Sequence, residues 1–456
     1  MNTPPHVDRK TFLTRLRQSK LLPEAQIVRL LAELPATNRG RVVARALVEK
    51  GLLTRFQAER LLAGRVAGFV MGQYRILDQL GRGGMGRVFK AEHVTMKRPV
   101  ALKVLAPDLL QNERARLLFL REVRAAAQLV HPNIVAAFDA SNDNGRYYLV
   151  LEYIDGPNLD QLVRRQGPLP VGLACEYIKQ AANGLRAAHA LGMVHRDIKP
   201  SNILVQHRGL HEHSAGLIKI SDFGLARLHA PELSANAPNR AGTILVKQNT
   251  VMGTPDFLAP EQARDVHKAD IRSDLYSLGC TFYYLLTGRV VFPGGAALEK
   301  LVRHNSEAPP SIAEWRSDVP DAVIDMVSRL LAKHPEDRYQ TPAELAAALE
   351  PYAVSDPMPW AAPPPSSPYL DDTATPLSES LSSSRNVLEG GSSDDLSAMT
   401  NTEPPDLSPT PISALARPQS SQHLPAVPSR KTSLLWIAVA AALFAGLVVL
   451  MALKGW

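Results

Sequence analysis

The sequence predicts an α+β protein in which a small β-rich lobe is followed by a larger α-helical lobe, with one transmembrane helix near the C-terminus. Short β-type runs are predicted at residues 74–80, 87–93, 99–105, 134–140 and 147–154, and one helical stretch at residues 113–129 interrupts them. From residue 159 to residue 349 the pattern is mostly helical. The chain has 456 residues, of which 45% are hydrophobic and 21% are charged, so a wholly disordered or collagen-like polypeptide is excluded.

The first 70 residues form a basic segment with 13 Lys and Arg against 5 Asp and Glu. Hydrophobic spacing predicts three or four short amphipathic helices in residues 9–66, and Thr54 with Gln57 forms a capping box for one of them. We expect a solvated helical surface here, with binding of an acidic partner as the less favoured alternative. No residue combination in the segment indicates chemistry, so its role is unknown from sequence. Nucleic acid is not an expected partner, because no face of the central region concentrates positive charge.

The C-terminal part of the chain is predicted to be a tether and an anchor. Residues 353–430 contain 14 Pro and 16 Ser, a composition that favours disorder. Residues 434–453 carry no charge and would span about 30 Å as a helix, which matches the hydrocarbon core of a bilayer. A buried core helix is the alternative. The first twenty residues lack a secretory signal, so we expect a single-pass protein of the cell (inner) membrane whose main part is cytoplasmic, with only residues 454–456 outside.

The chain has two cysteines, Cys175 and Cys280, both in apolar and helix-like surroundings. Two cysteines cannot build a disulfide framework or a four-ligand zinc site. They are therefore predicted to be buried free thiols in a reduced compartment.

Three glycines, Gly81, Gly83 and Gly86, together with Val88 match the pattern G-x-G-x-x-G-x-V. Residues without side chains let backbone N–H groups approach phosphate oxygens closely. A dinucleotide-binding motif would require a helix to begin at the last glycine, but residues 88–91 continue as a strand-like run. The motif is therefore predicted to be a hairpin that lies over a nucleotide.

The next strand-like run supplies a lysine. Period-two alternation places Ala101 and Lys103 on one face of the strand and Val100 and Leu102 on the other. An ammonium group below a glycine-rich hairpin suits nucleotide phosphates, and a solvent-facing lysine is the alternative. In the following helix Glu122 lies on an otherwise apolar stripe. A carboxylate on a packed face needs a cation, and Lys103 is the predicted partner.

The most specific motif is the run that begins at His195, which matches H-R-D-x-K-x-x-N. Asp197 can accept the proton of an attacking hydroxyl, Lys199 can neutralise charge on a transferring phosphoryl group, and Asn202 can offer an oxygen to Mg²⁺. Asp222, the first residue of a D-F-G sequence, offers a second metal ligand after a short strand-like run.

With the Ala259-Pro260-Glu261 sequence that completes this set, residues 74–349 resemble a bacterial eukaryotic-like (Hanks-type) serine/threonine protein kinase. The resemblance implies a bilobal protein-kinase fold, with ATP and Mg²⁺ or Mn²⁺ as cofactors. It implies that Asp197, Lys199, Lys103 and Glu122 are catalytic and that Asn202 and Asp222 hold metal ions. The residues it implies for ATP binding are Leu80, Gly81, Arg82, Gly83, Gly84, Met85, Gly86, Arg87, Val88, Ala101, Lys103, Glu152, Tyr153 and Ile154.

The same resemblance implies the substrate class and two structural supports. Lys199, two residues after the proposed base, and the sequence around Thr254 are typical of kinases that act on Ser and Thr of proteins in signalling. Asp274 is expected to brace the catalytic loop, residues 195–202, and Glu261 is expected to pair with Arg338. The alternatives are a pseudokinase scaffold and a small-molecule phosphotransferase. A pseudokinase usually lacks one of the key lysine and aspartate residues, all of which this chain has.

The resemblance also predicts regulation by phosphorylation of residues 225–258, the activation segment. Arg196 beside the proposed base implies a positive pocket that a phosphate can fill. Thr250 is the first candidate for the phosphorylated residue and Thr243 the second. Self-association for autophosphorylation in trans is a further expectation.

Overall fold

The structure, a computed structural model, describes residues 7–110, 112–206, 216–223, 255–264 and 269–353. The predicted tether, the predicted membrane span at residues 434–453, Thr243 and Thr250 lie outside these residues. Within the described ranges, no helix is both long enough and apolar enough to cross a membrane.

Residues 7–69, the N-terminal module, form four helices around a small core of their own. The helices are α1 (Arg9–Ser19), α2 (Glu24–Leu31), α3 (Gly40–Glu49) and α4 (Arg55–Leu62). Asp8 caps α1 by accepting a hydrogen bond from the Thr11 amide at 2.7 Å. Thr54 and Gln57 form the expected capping box of α4. Fully buried residues from the four helices make up the core, among them Phe12, Leu16, Ile27, Val43, Leu47 and Leu61.

The β-rich lobe is an antiparallel sheet of six strands in the order β1-β2-β3-β4-β6-β5. The strands are β1 (Val70–Met71), β2 (Tyr74–Gly83), β3 (Gly86–His93), β4 (Pro99–Leu105), β5 (Ala137–Asp143) and β6 (Arg146–Glu152). Helix α5 (Glu113–Ala126) lies between β4 and β5 in sequence, and Asn112 caps it through the Ala115 amide. Alternation along β4 is as expected, because Val100 and Leu102 join an apolar cluster with Phe89 while Lys103 does not.

The glycine-rich motif is a hairpin, as the sequence predicts. Gly83 on β2 pairs with Gly86 on β3, and the strand then continues to His93, so the dinucleotide-binding alternative is wrong. Gly86 has a φ of +135°, and a Cβ added there would clash with the Val104 carbonyl oxygen. Glycine at this position is therefore required by the close approach of β3 to β4.

One predicted strand is shifted along the chain. The sequence predicts a strand at residues 134–140, but β5 begins at Ala137. The reason is that the preceding residues pair elsewhere: Ile134 forms a parallel bridge with Ile220, and the Val135 amide donates to the Ile220 carbonyl at 2.9 Å. This pairing connects the β-rich lobe to the helical lobe.

The helical lobe surrounds a long buried helix and carries one small hairpin. Its helices are α6 (Leu159–Gln166), α7 (Val171–Ala190), α8 (Pro260–Arg264), α9 (Ile271–Thr287), α10 (Ala297–Ser306), α11 (Asp321–Leu330) and α12 (Pro342–Leu349). The hairpin consists of β7 (Ile203–Gln206) and β8 (Leu217–Ile220). Every residue of α9 from Ser273 to Thr287 is buried, as expected for a helix at the centre of a lobe.

Both cysteines are buried free thiols, as predicted. Cys175 lies in α7 and Cys280 in α9, within the core of the helical lobe. Burial raises the pKa of the Cys175 thiol to about 12 and raises that of Cys280 further. Both groups are therefore neutral and unreactive at physiological pH.

Candidate active site

The Asp197 carboxylate lies at the centre of a loop between α7 and β7 that its neighbours hold in place. Lys199 Nζ donates to both carboxylate oxygens, at 3.0 and 2.9 Å. Asn202 Nδ2 donates to the Asp197 carbonyl at 2.8 Å and to Oδ2 at 3.0 Å. The short 3₁₀ turn Pro200–Asn202 brings the amide back toward Asp197. The carboxylate is therefore oriented by a cation and an amide that belong to the same loop.

Asp274 of α9 braces this loop, as the resemblance implies. Its carboxylate is fully buried and accepts hydrogen bonds from the backbone amides of His195 and Arg196, at 2.8 and 2.7 Å. It also lies 3.0 Å from His189 Nε2. Arg196 has a φ of +67°, a conformation that costs a non-glycine residue about 1 kcal/mol or more. The two amide bonds to Asp274 help to hold Arg196 in that conformation.

The catalytic loop is also bonded to the segment that carries Asp222. The His195 Nε2 atom lies 2.8 Å from the Ser221 carbonyl, and the His195 ring meets the Phe223 ring edge-on with centroids 4.6 Å apart. Ser221 donates to the Asn202 carbonyl through its amide at 2.8 Å and through its hydroxyl at 3.1 Å. These contacts fix Asp222 relative to Asp197.

Lys103 forms an ion pair with Asp222 across the two lobes. Lys103 Nζ lies 2.8 Å from Asp222 Oδ1, and the lysine is only 4% exposed. Burial acts to raise the pKa of Asp222, but the Lys103 ammonium, with smaller contributions from His195 and Lys199, outweighs it and holds the pKa below its usual value. Asp222 is therefore ionised at neutral pH.

Glu122 lies on the buried side of α5 and is 7% exposed. Together with Asp222 and Phe223 it lines a small cavity of about 30 Å³. Lys103 pairs with Asp222, and the pairing of Lys103 with Glu122 stays a prediction.

The predicted nucleotide-binding residues lie on neighbouring strands. Val88 of the glycine-rich hairpin pairs with Lys103, and Ala101 pairs with Leu151, one residue before the predicted adenine-binding residues. The end of β2 and the residue after it carry Leu80, Gly81, Arg82, Gly83 and Gly84. The turn and the start of β3 carry Met85, Gly86 and Arg87. The end of β6 and the residues after it are Glu152, Tyr153 and Ile154. The sheet therefore brings the hairpin, Ala101, Lys103 and the segment after β6 together.

The segment at Glu152 has a support that the sequence did not reveal. Lys219 of β8 is buried and its Nζ lies 3.0 Å from Glu152 Oε2, which also accepts a hydrogen bond from the Ala136 amide at 3.2 Å. The sequence signal that could have indicated this support is a lysine on the buried face of a strand, three residues before Asp222. Lys90 Nζ lies 4.3 Å from the centroid of the Tyr153 ring, which places a second lysine beside this segment.

Glu261 of α8 and Arg338 form the expected ion pair. Two parallel hydrogen bonds of 2.7 and 2.9 Å join the guanidinium to the carboxylate. Burial acts to raise the pKa of Glu261, but Arg338 outweighs it and, with Ser273, keeps the pKa low. The neighbouring Gln262 donates to the Arg196 carbonyl at 3.1 Å, so α8 is also connected to the catalytic loop.

The residues present fit ATP and a divalent cation. A Cβ added at Gly81, Gly83 or Gly84 would meet no atom of the described residues within 4 Å, so packing among those residues does not require glycine there. Close approach of a phosphate to the backbone does require it. Because Asn202 donates its amide nitrogen to Asp197, its oxygen remains for a metal, and the carboxylate of Asp222 is the second oxygen ligand of the type that Mg²⁺ prefers.

Comparison with known proteins assigns the chain to a family. The family model of the protein kinase domain matches residues 74–349. The chain therefore belongs to the protein kinase domain family, and the resemblance to bacterial serine/threonine kinases is confirmed.

Individual relatives come from several bacteria. The chain is 35% identical over 281 residues to the serine/threonine-protein kinase PrkC of Bacillus subtilis and 37% identical over 281 residues to PknB of Mycobacterium leprae. The matches cover 62% and 61% of this chain but only 40% and 42% of those relatives. Among solved structures, the PknI kinase domain of Mycobacterium tuberculosis is 26% identical, with 63% of this chain and 99% of that domain covered and a TM-score of 0.47.

Proposed function

We propose that this protein is a serine/threonine protein kinase that transfers the γ-phosphoryl group of ATP to hydroxyl groups of proteins. The observation that carries the proposal is the arrangement around Asp197. Its carboxylate is oriented by Lys199 and Asn202, and Asp222, paired with Lys103, is bonded to the same loop through Ser221. A proton acceptor, a cation for the transferring group and two metal ligands thus lie on one rigid loop system.

Each of these side chains has a defined task in the reaction. Asp197 orients the substrate hydroxyl and accepts its proton, and Lys199, 2.9 Å from Asp197, neutralises charge that develops beside it. Lys103, on the strand that pairs with the hairpin, binds phosphate oxygens. Asn202 and Asp222 would hold Mg²⁺. Mg²⁺-ATP, when bound, supplies the phosphoryl group and offsets its negative charge.

The substrate class follows from the Lys199 position and from the relatives. PrkC and PknB are named serine/threonine-protein kinases, and this supports the same class for the present chain. A pseudokinase scaffold is less favoured, because Lys103, Asp197 and Asp222 are all present and each forms an ion pair.

The proposal is tested with the full-length chain in detergent and [γ-³²P]ATP. Asp197→Asn and Lys103→Met should each reduce autophosphorylation and phosphorylation of a generic protein substrate at least a hundredfold. Cys175→Ser changes a buried thiol away from the site and should keep activity within twofold. If either site variant is as active as the parent, the assigned mechanism is wrong. If the parent is inactive but binds ATP, the pseudokinase alternative is correct.

We also propose that residues 434–453 anchor the protein in the cell membrane, with the kinase domain in the cytoplasm. The support is the length of this uncharged apolar run. A chain truncated after Ser429 should move from the membrane pellet to the soluble fraction after carbonate extraction. Retention in the pellet would contradict the proposal.

Activation by autophosphorylation at Thr250, or next at Thr243, is a third part of the proposal. It is supported by Arg196, which directly precedes Asp197 and whose amide and carbonyl are held by Asp274 and Gln262, because a guanidinium in this loop can pair with a phosphate. Mass spectrometry of the active protein should find phosphate within residues 225–258, and the double variant Thr250→Ala/Thr243→Ala should be at least tenfold less active. If the protein is fully active with residues 225–258 unmodified, this mode of regulation is excluded, and with it self-association for phosphorylation in trans.

A further inference from the structure

The N-terminal module is in direct contact with β2, the first strand of the glycine-rich hairpin. β1 covers the outer edge of β2 only at Tyr74 and Arg75, so the edge beyond them has no strand partner on that side among the described residues. The module takes over at the next residue. The Ile76 amide donates to the Phe69 carbonyl at 2.9 Å, and Gln57 Nε2 donates to the Ile76 carbonyl at 2.8 Å. Both backbone groups of Ile76 therefore have partners that belong to the module.

The contact continues at a bulge in β2. The register with β3 shifts between Ile76 and Asp78, which leaves Leu77 outside the pairing. The Thr54 hydroxyl donates to the Leu77 carbonyl at 2.5 Å. A bulge bends a strand and re-aims the residues beyond it, so the bonds from Thr54 and Gln57 hold the point where the direction of the hairpin is set.

The buried position of Gln57 shows how closely the module fits. Gln57 is 3% exposed, and its side chain makes two bonds: Oε1 accepts from the Thr54 amide at 3.0 Å, and Nε2 reaches the Ile76 carbonyl. Removal of the amide would leave a buried carbonyl without its donor. The same two residues therefore close the capping box of α4 and bind the sheet.

The module also covers the back of the strands that carry the nucleotide-binding face. Phe56 of α4 packs against the apolar cluster that includes Val100 and Leu102, and its ring centroid lies 6.3 Å from that of Phe89. Lys103, which alternates with these residues along β4, faces the other side. Helix α4 is thus fixed to the opposite surface of the strands that form the nucleotide site.

We infer that the N-terminal module is a working part of the nucleotide site, in which Thr54 and Gln57 are positioning residues for the glycine-rich hairpin. The two sides of the hairpin are held differently. Its β3 side pairs with β4 as far as Gly86, whereas a Cβ added at Gly81, Gly83 or Gly84 on or just after β2 would meet no described atom within 4 Å. The β2 side of the hairpin therefore depends on support at its base, where the module contacts Ile76 and Leu77. This inference rests on the proposed function only in that the hairpin binds ATP phosphates.

Two variants of the full-length chain in detergent test the inference, with a fluorescent ATP analogue to measure Kd and with kinetics to measure KM for ATP. Gln57→Leu removes the amide donor but keeps the size of the side chain. Thr54→Asp keeps an N-cap acceptor but cannot donate to the Leu77 carbonyl. Loss of one such hydrogen bond lowers the population of the binding-competent hairpin, so Kd and KM for ATP should rise about fivefold to tenfold. The KM for the protein substrate should stay within twofold of the parent. Thr54→Ser keeps the hydroxyl, so its Kd and KM for ATP should equal those of the parent.

The matched control is Asp8→Ala, which removes the cap of α1 and leaves the contacts with β2 intact. Its Kd for the analogue should stay within twofold of the parent, with all measurements made at least ten degrees below the melting temperature of each variant. The inference is overturned if Gln57→Leu and Thr54→Asp bind the analogue as tightly as the parent. It is also overturned if Asp8→Ala weakens binding equally, because the module would then act only through overall stability. The comparison of Kd values needs no phosphoryl transfer, so it decides this question even if the proposed kinase activity fails.

Discussion

Substitution of Arg338 by Met should be among the most destabilising single changes in the helical lobe. The guanidinium is fully buried and makes five hydrogen bonds. Two of them go to the Glu261 carboxylate, and three go to the backbone carbonyls of Ala332, Arg272 and Lys333. Its plane also lies over the Tyr276 ring at 4.8 Å. Met fills much of the same volume but satisfies none of these acceptors.

The magnitude follows from what the substitution leaves behind. Removal of one partner from a buried ion pair typically costs about 3 to 5 kcal/mol, because the other charge stays desolvated. The Glu261 side chain is only 14% exposed, so water cannot replace the guanidinium fully. We therefore expect a loss of about 3 to 5 kcal/mol, against a total stability of about 5 to 15 kcal/mol for a typical domain.

Urea unfolding followed by tryptophan fluorescence measures this loss. The double variant Arg338→Met/Glu261→Met supplies the control, because it removes both charges at once. Its cost should be clearly smaller than the sum of the two single variants, since no unpaired buried charge remains. A loss below 1 kcal/mol for Arg338→Met, or strict additivity in the double variant, would refute the reasoning.

Two further predictions concern the catalytic loop and pH. The Asp274 carboxylate accepts hydrogen bonds from two backbone amides, and Asp274→Asn would present an N–H to one of them. We expect kcat to fall at least tenfold while the chain stays folded. An unchanged kcat would contradict the bracing role. Burial, and next the Lys333 ammonium, lowers the pKa of His304 from 6.5 to about 4. His304 therefore binds a proton more readily in the unfolded chain than in the folded chain. The free energy of unfolding decreases as pH falls from about 6.5 toward 4, by about 2 kcal/mol at pH 5. The free energy of unfolding of His304→Phe should not show this decrease. If the unfolding free energies of the variant and the parent change in parallel between pH 7 and 5, the prediction is wrong.

Local patterns were sufficient for most of the β-rich lobe. Alternation along residues 99–105 predicts a strand, and β4 has those bounds. The hairpin was predicted because a β-type run follows Gly86 directly, and no helix begins there. Spacing within one motif was equally informative for Asp197, Lys199 and Asn202, because a short turn holds residues two to five positions apart within hydrogen-bond distance.

Contacts between distant segments were harder to predict. The Lys219–Glu152 pair joins residues 67 positions apart, and nothing in either local pattern identifies the other. The same applies to Ile134, a residue type with high β propensity, which pairs with Ile220 of β8 and not with the six-stranded sheet. β propensity describes a residue that fits a pleated and half-buried surface, and it does not specify which strand provides that surface.

The docking of the N-terminal module illustrates the same limit and a signal that partly overcomes it. A capping box is a local pattern, so Thr54 and Gln57 were predicted correctly as the start of α4, but their second bonds to β2 depend on a strand about twenty residues away. Phe56 is different. At about 100° per residue it lies about 200° around the helix from Ala58, which belongs to the core of the module. A large apolar residue on the face opposite to a helix's own core has to be buried by something else, and here the sheet of the β-rich lobe buries it.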